Sequence, residues 1–113
     1  MQNSAATQIT ASDYWAIVNP SMTLDECSPA FRSLYTAQAA AMTQAGYVKQ
    51  SPAQPYTAET VDQLAGLLYT TAREKTAASI WRTIPVWENA SPYQRAVHTR
   101  LAAKLLRAGY ATL

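Results

Sequence analysis

The chain has 113 residues, of which 49% are hydrophobic and only 14% charged, and its formal net charge is +2. This length suits one domain with a real core, and so small a charge does not by itself indicate nucleic acid or acidic lipid. One cysteine and one histidine exclude an internal disulfide and leave too few soft ligands for a zinc site. The chain start lacks the regions of a secretory signal, and no apolar run reaches the roughly 20 residues of a membrane span. We therefore expect a cytoplasmic protein without membrane contact, metal or cofactor.

The first part of the chain predicts one short and one long helix. Ser12 is the expected N-cap of a short helix that carries Trp15 and stops at an Asn-Pro pair. Ser28 is the expected N-cap of the long helix, because Pro29 follows it at the position where a missing N–H costs nothing. Gly46 is a suitable left-handed residue to end this helix.

The middle of the chain predicts a connector and a linking helix. Residues 48–56 contain two prolines and have the composition of a loop. Thr57 caps a helix expected over residues 57–74, whose apolar side chains recur at helical spacing. Gly66 lies within that helix, where a neighbour can approach closely.

The last part of the chain predicts a short helix, a loop and a final long helix. The short helix is expected around residues 78–83 and carries Trp81, and Trp87 lies in the loop that follows. Ser91 caps the final helix, and Gly109 ends it. No stretch of five or more residues has the pattern of a paired strand.

The final long helix repeats the first one. Shifted by 63 residues, residues 22–47 lie over residues 85–110, and nine of these 26 positions are identical. The matching pairs are Ser28/Ser91, Pro29/Pro92, Arg32/Arg95, Thr36/Thr99, Ala39/Ala102, Ala40/Ala103, Ala45/Ala108, Gly46/Gly109 and Tyr47/Tyr110. A three-residue gap also places Trp15 over Trp81.

A period of this size indicates a duplicated helical unit, here residues 12–47 and 78–110. One unit cannot bury both faces of its tryptophan, whereas two units can share a core. We predict that residues 1–113 form one all-α domain. Its expected architecture is a small bundle of four or five helices, built from two tandem units related by a pseudo-twofold axis.

His98 is the first side chain to test for catalysis, because imidazole titrates near neutrality. Cys27 and Ser91 are its conceivable partners. His98 matches Tyr35 in the repeat, however, which favours a packed and hydrogen-bonded core histidine, and Cys27 is more simply a small buried residue. The sequence has no phosphate loop, metal-binding His-Glu pair or nucleophile elbow, so we expect that the protein is not an enzyme.

Two carboxylates occupy equivalent places in the units. Asp25 and Glu88 each lie seven residues before an arginine, Arg32 and Arg95 respectively. Paired carboxylates can perform acid–base chemistry, but these belong to separate copies. We predict instead an ion pair between turn and helix in each unit.

Two surface features of the second unit suggest binding. Arg100, Lys104 and Arg107 lie on one helix face, with Tyr93 on the same side. Such a stripe can follow a phosphate backbone, although a solvated face is the commoner case. Trp87 is either a lid on the core or an exposed anchor. Because Trp, Tyr and Arg dominate binding hot spots, all five residues are the predicted partner-binding set, with Trp87 and Tyr93 as the preferred patch.

The second half also carries a pattern of apolar residues around a tryptophan-proline-tryptophan turn. It reads Leu64-Ala65, Leu68-Tyr69, Trp81, Ile84-Pro85-Val86-Trp87, Arg95, Leu101-Ala102, Leu105 and Gly109. This pattern resembles that of short helical proteins of bacteriophages and mobile elements, and its turn is similar to the small helical domain repeated in ryanodine receptors. The resemblance implies a compact helical module without catalytic residues, of a kind that often binds host machinery, including host defence complexes.

Three functions remain open from the sequence. The first is a stoichiometric protein-binding module, which the low charge and the aromatic excess favour, and a phage-type inhibitor of a host complex is one such module. The second is a small nucleic-acid-binding protein that uses the basic face of the last helix. The third is a virion or scaffold component, for which the two-copy symmetry predicts self-assembly into a homodimer or larger assembly.

Overall fold

The computed structural model of the protein describes residues 7–19, 28–77 and 84–112. Helices dominate this part of the chain, which confirms the predicted all-α class. The helices are α1 (Ala11–Val18), α2 (Pro29–Gln44), α3 (Ala58–Ala77) and α4 (Pro92–Arg107), with a short 3-10 turn at Trp87–Asn89. Three strands accompany them, β1 (Thr7–Gln8), β2 (Tyr47–Lys49) and β3 (Tyr110–Thr112).

The four helices pack around one shared core. Both α1 and α3 pack against α2 and against α4, so α2 and α4 occupy opposite corners of the bundle. The side chains that are completely buried between them come from all four helices. They include Tyr14, Met42, Leu64, Leu68 and Leu105.

The two long helices of the predicted repeat begin and end alike. Ser28 and Ser91 are the N-caps, and each hydroxyl accepts a backbone N–H three residues on, at 3.4 and 3.2 Å. Proline follows each cap, and each helix has 16 residues. Gly46 and Gly109 follow the two helices with φ angles of +93° and +110°, which only glycine adopts without strain. These helix boundaries are therefore confirmed.

The sheet was not expected from the sequence, because its strands are only two or three residues long and show no alternating pattern. Its order is β1-β2-β3 and both pairings are antiparallel. At the centre of the second pairing Val48 lies opposite Ala111, and these residues are 63 positions apart. An antiparallel pair centred on equivalent residues has local twofold symmetry, and β1 breaks that symmetry by adding to β2 alone.

Several boundaries differ from the predicted ones. The N-cap of α1 is Thr10 rather than Ser12, because Thr10 and Asp13 form a reciprocal capping box. The Thr57 hydroxyl accepts the N–H of Thr60 as expected for a cap, and α3 continues to Ala77 instead of ending at residue 74. The predicted short helix at 78–83 with Trp81, and the side chains of Asp25 and Cys27, lie outside the described residues.

A buried polar chain connects the first three helices. The Tyr14 hydroxyl donates to Gln38 Oε1 at 2.8 Å, and Gln38 Nε2 donates to the Leu68 carbonyl at 2.9 Å. Gln38 is only 1% exposed, so it interrupts the apolar face of α2 without leaving an unpaired polar group. Burial, and secondarily the neighbouring Tyr35, raises the pKa of Tyr14 far above its ordinary value.

Candidate binding surface on the last helix

The outer face of α4 carries the predicted basic stripe. Tyr93, Arg100 and Arg107 are spaced seven residues apart and share one side of the helix, and Lys104 lies beside them. The stripe is roughly 21 Å long at 1.5 Å per residue. Tyr93 is 72% exposed, which makes it the most exposed of the large hydrophobic side chains that the structure describes.

Nothing within the described structure neutralises this face. The side chains of Arg100, Lys104 and Arg107 have no hydrogen-bond or ion-pair partner among residues 7–19, 28–77 and 84–112. The sequence of α4 contains no Asp or Glu. We call Tyr93, Arg100, Lys104 and Arg107 the α4 basic face.

The fifth predicted binding residue, Trp87, lies in the core and not on the surface. It is 8% exposed, and a Cβ built on Gly66 would lie only 3.0 Å from its ring. Its indole N–H donates to Asp62 Oδ1 at 3.1 Å. Trp87 is therefore a lid on the core, and the alternative of an exposed anchor is wrong. Of the preferred patch of Trp87 and Tyr93, only Tyr93 is exposed. The glycine at position 66 is what allows the indole to lie against α3.

Arg95 is partly exposed, but it contacts Trp87 and does not belong to the basic face. Its Nη1 donates to the Trp87 carbonyl at 2.6 Å, and its guanidinium lies 4.6 Å from the centre of the Trp87 ring. The Asp62 Oδ1 atom lies 3.8 Å from Arg95 Nη2. The predicted Glu88–Arg95 ion pair is therefore wrong: α3 places Asp62 beside the arginine, while Glu88 is exposed.

His98 is a core histidine, as predicted. It is 7% exposed and its ring meets Tyr69 and Trp87 edge-on, with centroids 5.4 and 6.4 Å apart. Nδ1 lies 2.9 Å from the Gln94 carbonyl, which can only accept, so Nδ1 carries the proton. The Ser91 hydroxyl, once a conceivable partner, serves as the N-cap acceptor for Gln94 N–H.

The structure also exposes two large apolar side chains away from the α4 basic face. Phe31, in the first turn of α2, is 54% exposed and stacks on Tyr35 with ring centres 6.1 Å apart. Val86, beside the buried Trp87, is 44% exposed. Helical spacing identifies the face of a residue but not where the neighbouring helices stop covering it.

Among the His, Cys, Asp and Glu residues that the structure describes, no group of three is placed to hold a metal ion. No helix in the described ranges has both the length and the apolar character needed to cross a bilayer. Comparisons with protein-family models, curated proteins and solved structures found no match. The fold and the surface thus define a small helical bundle with one basic outer face.

Proposed function

We propose that this protein is a non-enzymatic binding module that attaches stoichiometrically to an acidic surface of a partner protein through the α4 basic face. The observation that carries the proposal is a set of three cations that have no partner among the described residues, beside a tyrosine that is 72% exposed. Arg73 and Arg95, by contrast, are engaged internally, since Arg73 donates to the Ile84 carbonyl and Arg95 to the Trp87 carbonyl.

The composition of this face supports a protein partner. Tyrosine and arginine supply much of the binding energy at protein interfaces, whereas lysine contributes mainly at the rim. With only 14% charged residues in the chain, the cations of α4 are a concentrated local charge. Such a charge speeds association with an acidic partner and selects against a basic one. The resemblance to phage helical proteins adds the proposal that the partner is a host complex, which the module inhibits by binding.

Charge reversal on the helix face tests the proposal. We expect a tagged protein to retain its partner in nuclease-treated native lysate, and to lose that partner on Arg100→Glu or Tyr93→Ala. Lys49→Glu is the matched control, because it makes the same charge change at an exposed lysine of β2. Loss of the partner in all three variants would place the interface elsewhere.

The absence of any carboxylate from α4 favours nucleic acid as a second candidate. Binding would then depend steeply on salt, with a log–log slope of about 0.9 per phosphate contact. Arg100→Gln would reduce that slope by about one unit. Nucleic acid recovered in a parallel pull-down without nuclease, with the associated proteins lost when nuclease is added, would decide for this candidate.

A further inference from the structure

A pocket of about 280 Å³ lies on the opposite side of α4 from the basic face, between α3, residues 84–85 and the first turns of α4. Its apolar wall is formed by Tyr69, Ala72, Ile84 and Pro85, and its polar groups include Arg73 and His98. The Tyr69 hydroxyl is already used, since it donates to the Pro85 carbonyl at 2.7 Å. The volume is close to the lower end of small-molecule sites.

Arg73 gives this pocket a fixed positive group. Its Nε donates to the Ile84 carbonyl at 2.8 Å, which holds the guanidinium beside the pocket wall. The Nη1 and Nη2 groups have no partner in the part of the chain that the structure describes. A guanidinium held in this way presents a planar pair of donors, which matches a carboxylate.

His98 adds a second polar atom. Its Nδ1–H is used by the Gln94 carbonyl, and Nε2 has no protein partner among the described residues. No fully buried polar side-chain atom in those residues lacks a partner, so Nε2 is accessible, and the ring lines the pocket. Nε2 is therefore available to accept a hydrogen bond from a ligand hydroxyl.

We propose that this pocket binds a small aromatic carboxylate. The carboxylate pairs with the Arg73 guanidinium, and the ring packs against Tyr69, Ile84 and Pro85. None of the side chains that line the pocket is acidic, so an anion meets no repulsion there. The site is separate from the α4 basic face and does not depend on the proposed protein partner.

Benzoate and benzamide provide the direct test, because they share a ring and differ in charge. We expect benzoate to cause saturable amide shifts in an NMR titration, confined to the second half of α3 and the first turns of α4, with a Kd below about 5 mM. Benzamide should bind at least about tenfold more weakly if the carboxylate is recognised. Absence of saturable shifts, or equal binding of the two probes, would overturn the proposal.

Matched variants locate the site. Arg73→Gln should weaken benzoate binding about tenfold, to the level of benzamide, whereas Arg100→Gln makes the same charge change on the outer face and should have no effect. Ala72→Leu keeps both polar groups and fills the pocket, so a folded A72L protein should also lose binding. This variant decides the matter if R73Q does not fold. If Arg100→Gln abolished the benzoate shifts and Arg73→Gln did not, benzoate would bind to the outer face and the proposed site would be wrong.

Discussion

Residues 28–49 and residues 91–112 have the same backbone structure but different neighbours. Each segment consists of a Ser-Pro start, a helix of 16 residues, a glycine with positive φ and a strand of three residues. In the first segment Tyr35 packs against Tyr14, Trp15 and Phe31. In the second, the equivalent His98 packs against Tyr69 and Trp87.

The comparison separates what local sequence specifies from what packing specifies. Caps and glycines act within one or two helical turns, so the same residues produce the same element in both segments. Side-chain partners come from distant parts of the chain, and there the segments differ. Gln38 holds a buried hydrogen-bond chain where the second segment has Leu101, and Arg95 is engaged where Arg32 has no partner among the described residues.

The two helix-terminal glycines should give the largest difference between the segments. Both have positive φ, so alanine at either position costs about 1–3 kcal/mol of backbone strain. A Cβ at Gly46 meets nothing within 4 Å, whereas at Gly109 it would lie 2.8 Å from the Gln50 carbonyl oxygen. We expect Gly109→Ala to lower the free energy of unfolding by at least about 1 kcal/mol more than Gly46→Ala, as measured by urea denaturation.

Equal losses for the two alanine variants would contradict this prediction. They would mean that residue 50 shifts without cost and that the two helix ends are energetically equivalent. The comparison requires that the slope of unfolding free energy against urea concentration is the same in the unaltered protein and in both variants. A variant with a different slope would have a folded or unfolded state of different compactness.

Replacing Gln38 by the leucine of the other segment tests the buried polar chain. Gln38→Leu leaves the buried Tyr14 hydroxyl without its acceptor, and we expect a loss of about 1–3 kcal/mol. The double variant Tyr14→Phe/Gln38→Leu removes both partners, so it should lose less than the sum of the two single variants. A double-mutant cycle by urea denaturation measures this difference, and strictly additive losses would contradict the proposed coupling.

The sequence predicted the bounds of the long helices better than the pairing of the strands and the contacts between side chains. The bounds of α2 and α4 follow from Ser-Pro and Gly-Tyr signals that act locally. The sheet could not be predicted, because two or three residues are too few to show an alternating pattern. The N-cap of α1 was predictable in principle, since Thr10 and Asp13 have the spacing of a capping box.

The candidate site shows the same limit. The spacing of Arg100, Lys104 and Arg107 was sufficient to place them on one helix face. Burial of Trp87 depends on Gly66, and the partner of Arg95 is Asp62. Both contacts join residues more than 20 positions apart in the chain, and no local pattern encodes them.

The equivalent arginines test whether the second segment gained stability from its partners. Arg95→Ala removes the bond to the Trp87 carbonyl and the contact with its ring. We expect a loss of about 1–2 kcal/mol, because hydrogen bonds to charged groups are stronger than neutral ones. Arg32→Ala should change stability by less than about 0.5 kcal/mol, because the Arg32 side chain has no specific partner among the described residues. Thermal and urea unfolding of both variants measure the difference, and similar values would show that the Arg95 contacts add nothing net.

The tyrosines that begin β2 and β3 should, in contrast, respond alike. Burial raises the pKa of Tyr47, and burial together with the nearby Asp13 carboxylate raises the pKa of Tyr110. Tyrosine in the unfolded chain ionises near pH 10, so above that pH the folded state holds protons that the unfolded state has lost. Their contribution to stability is therefore complete below about pH 10 and is lost as the pH rises, by up to about 1.4 kcal/mol per pH unit for each protected tyrosine.

Urea unfolding between pH 8 and 11, followed together with tyrosinate absorbance, measures this dependence. Tyr47→Phe and Tyr110→Phe should each reduce the alkaline slope by a similar amount, because the two tyrosine residues are 6% and 3% exposed at equivalent positions. Tyr14→Phe provides a third measurement, since burial raises the pKa of Tyr14 as well. If the slope between pH 10 and 11 were the same in all three phenylalanine variants as in the unaltered protein, lysine deprotonation would account for the alkaline loss. If Tyr47→Phe alone reduced this slope, only Tyr47 would keep its phenolic proton in the folded state above pH 10. The two helix–strand segments would then be equivalent in backbone structure but not in the environment of their tyrosines.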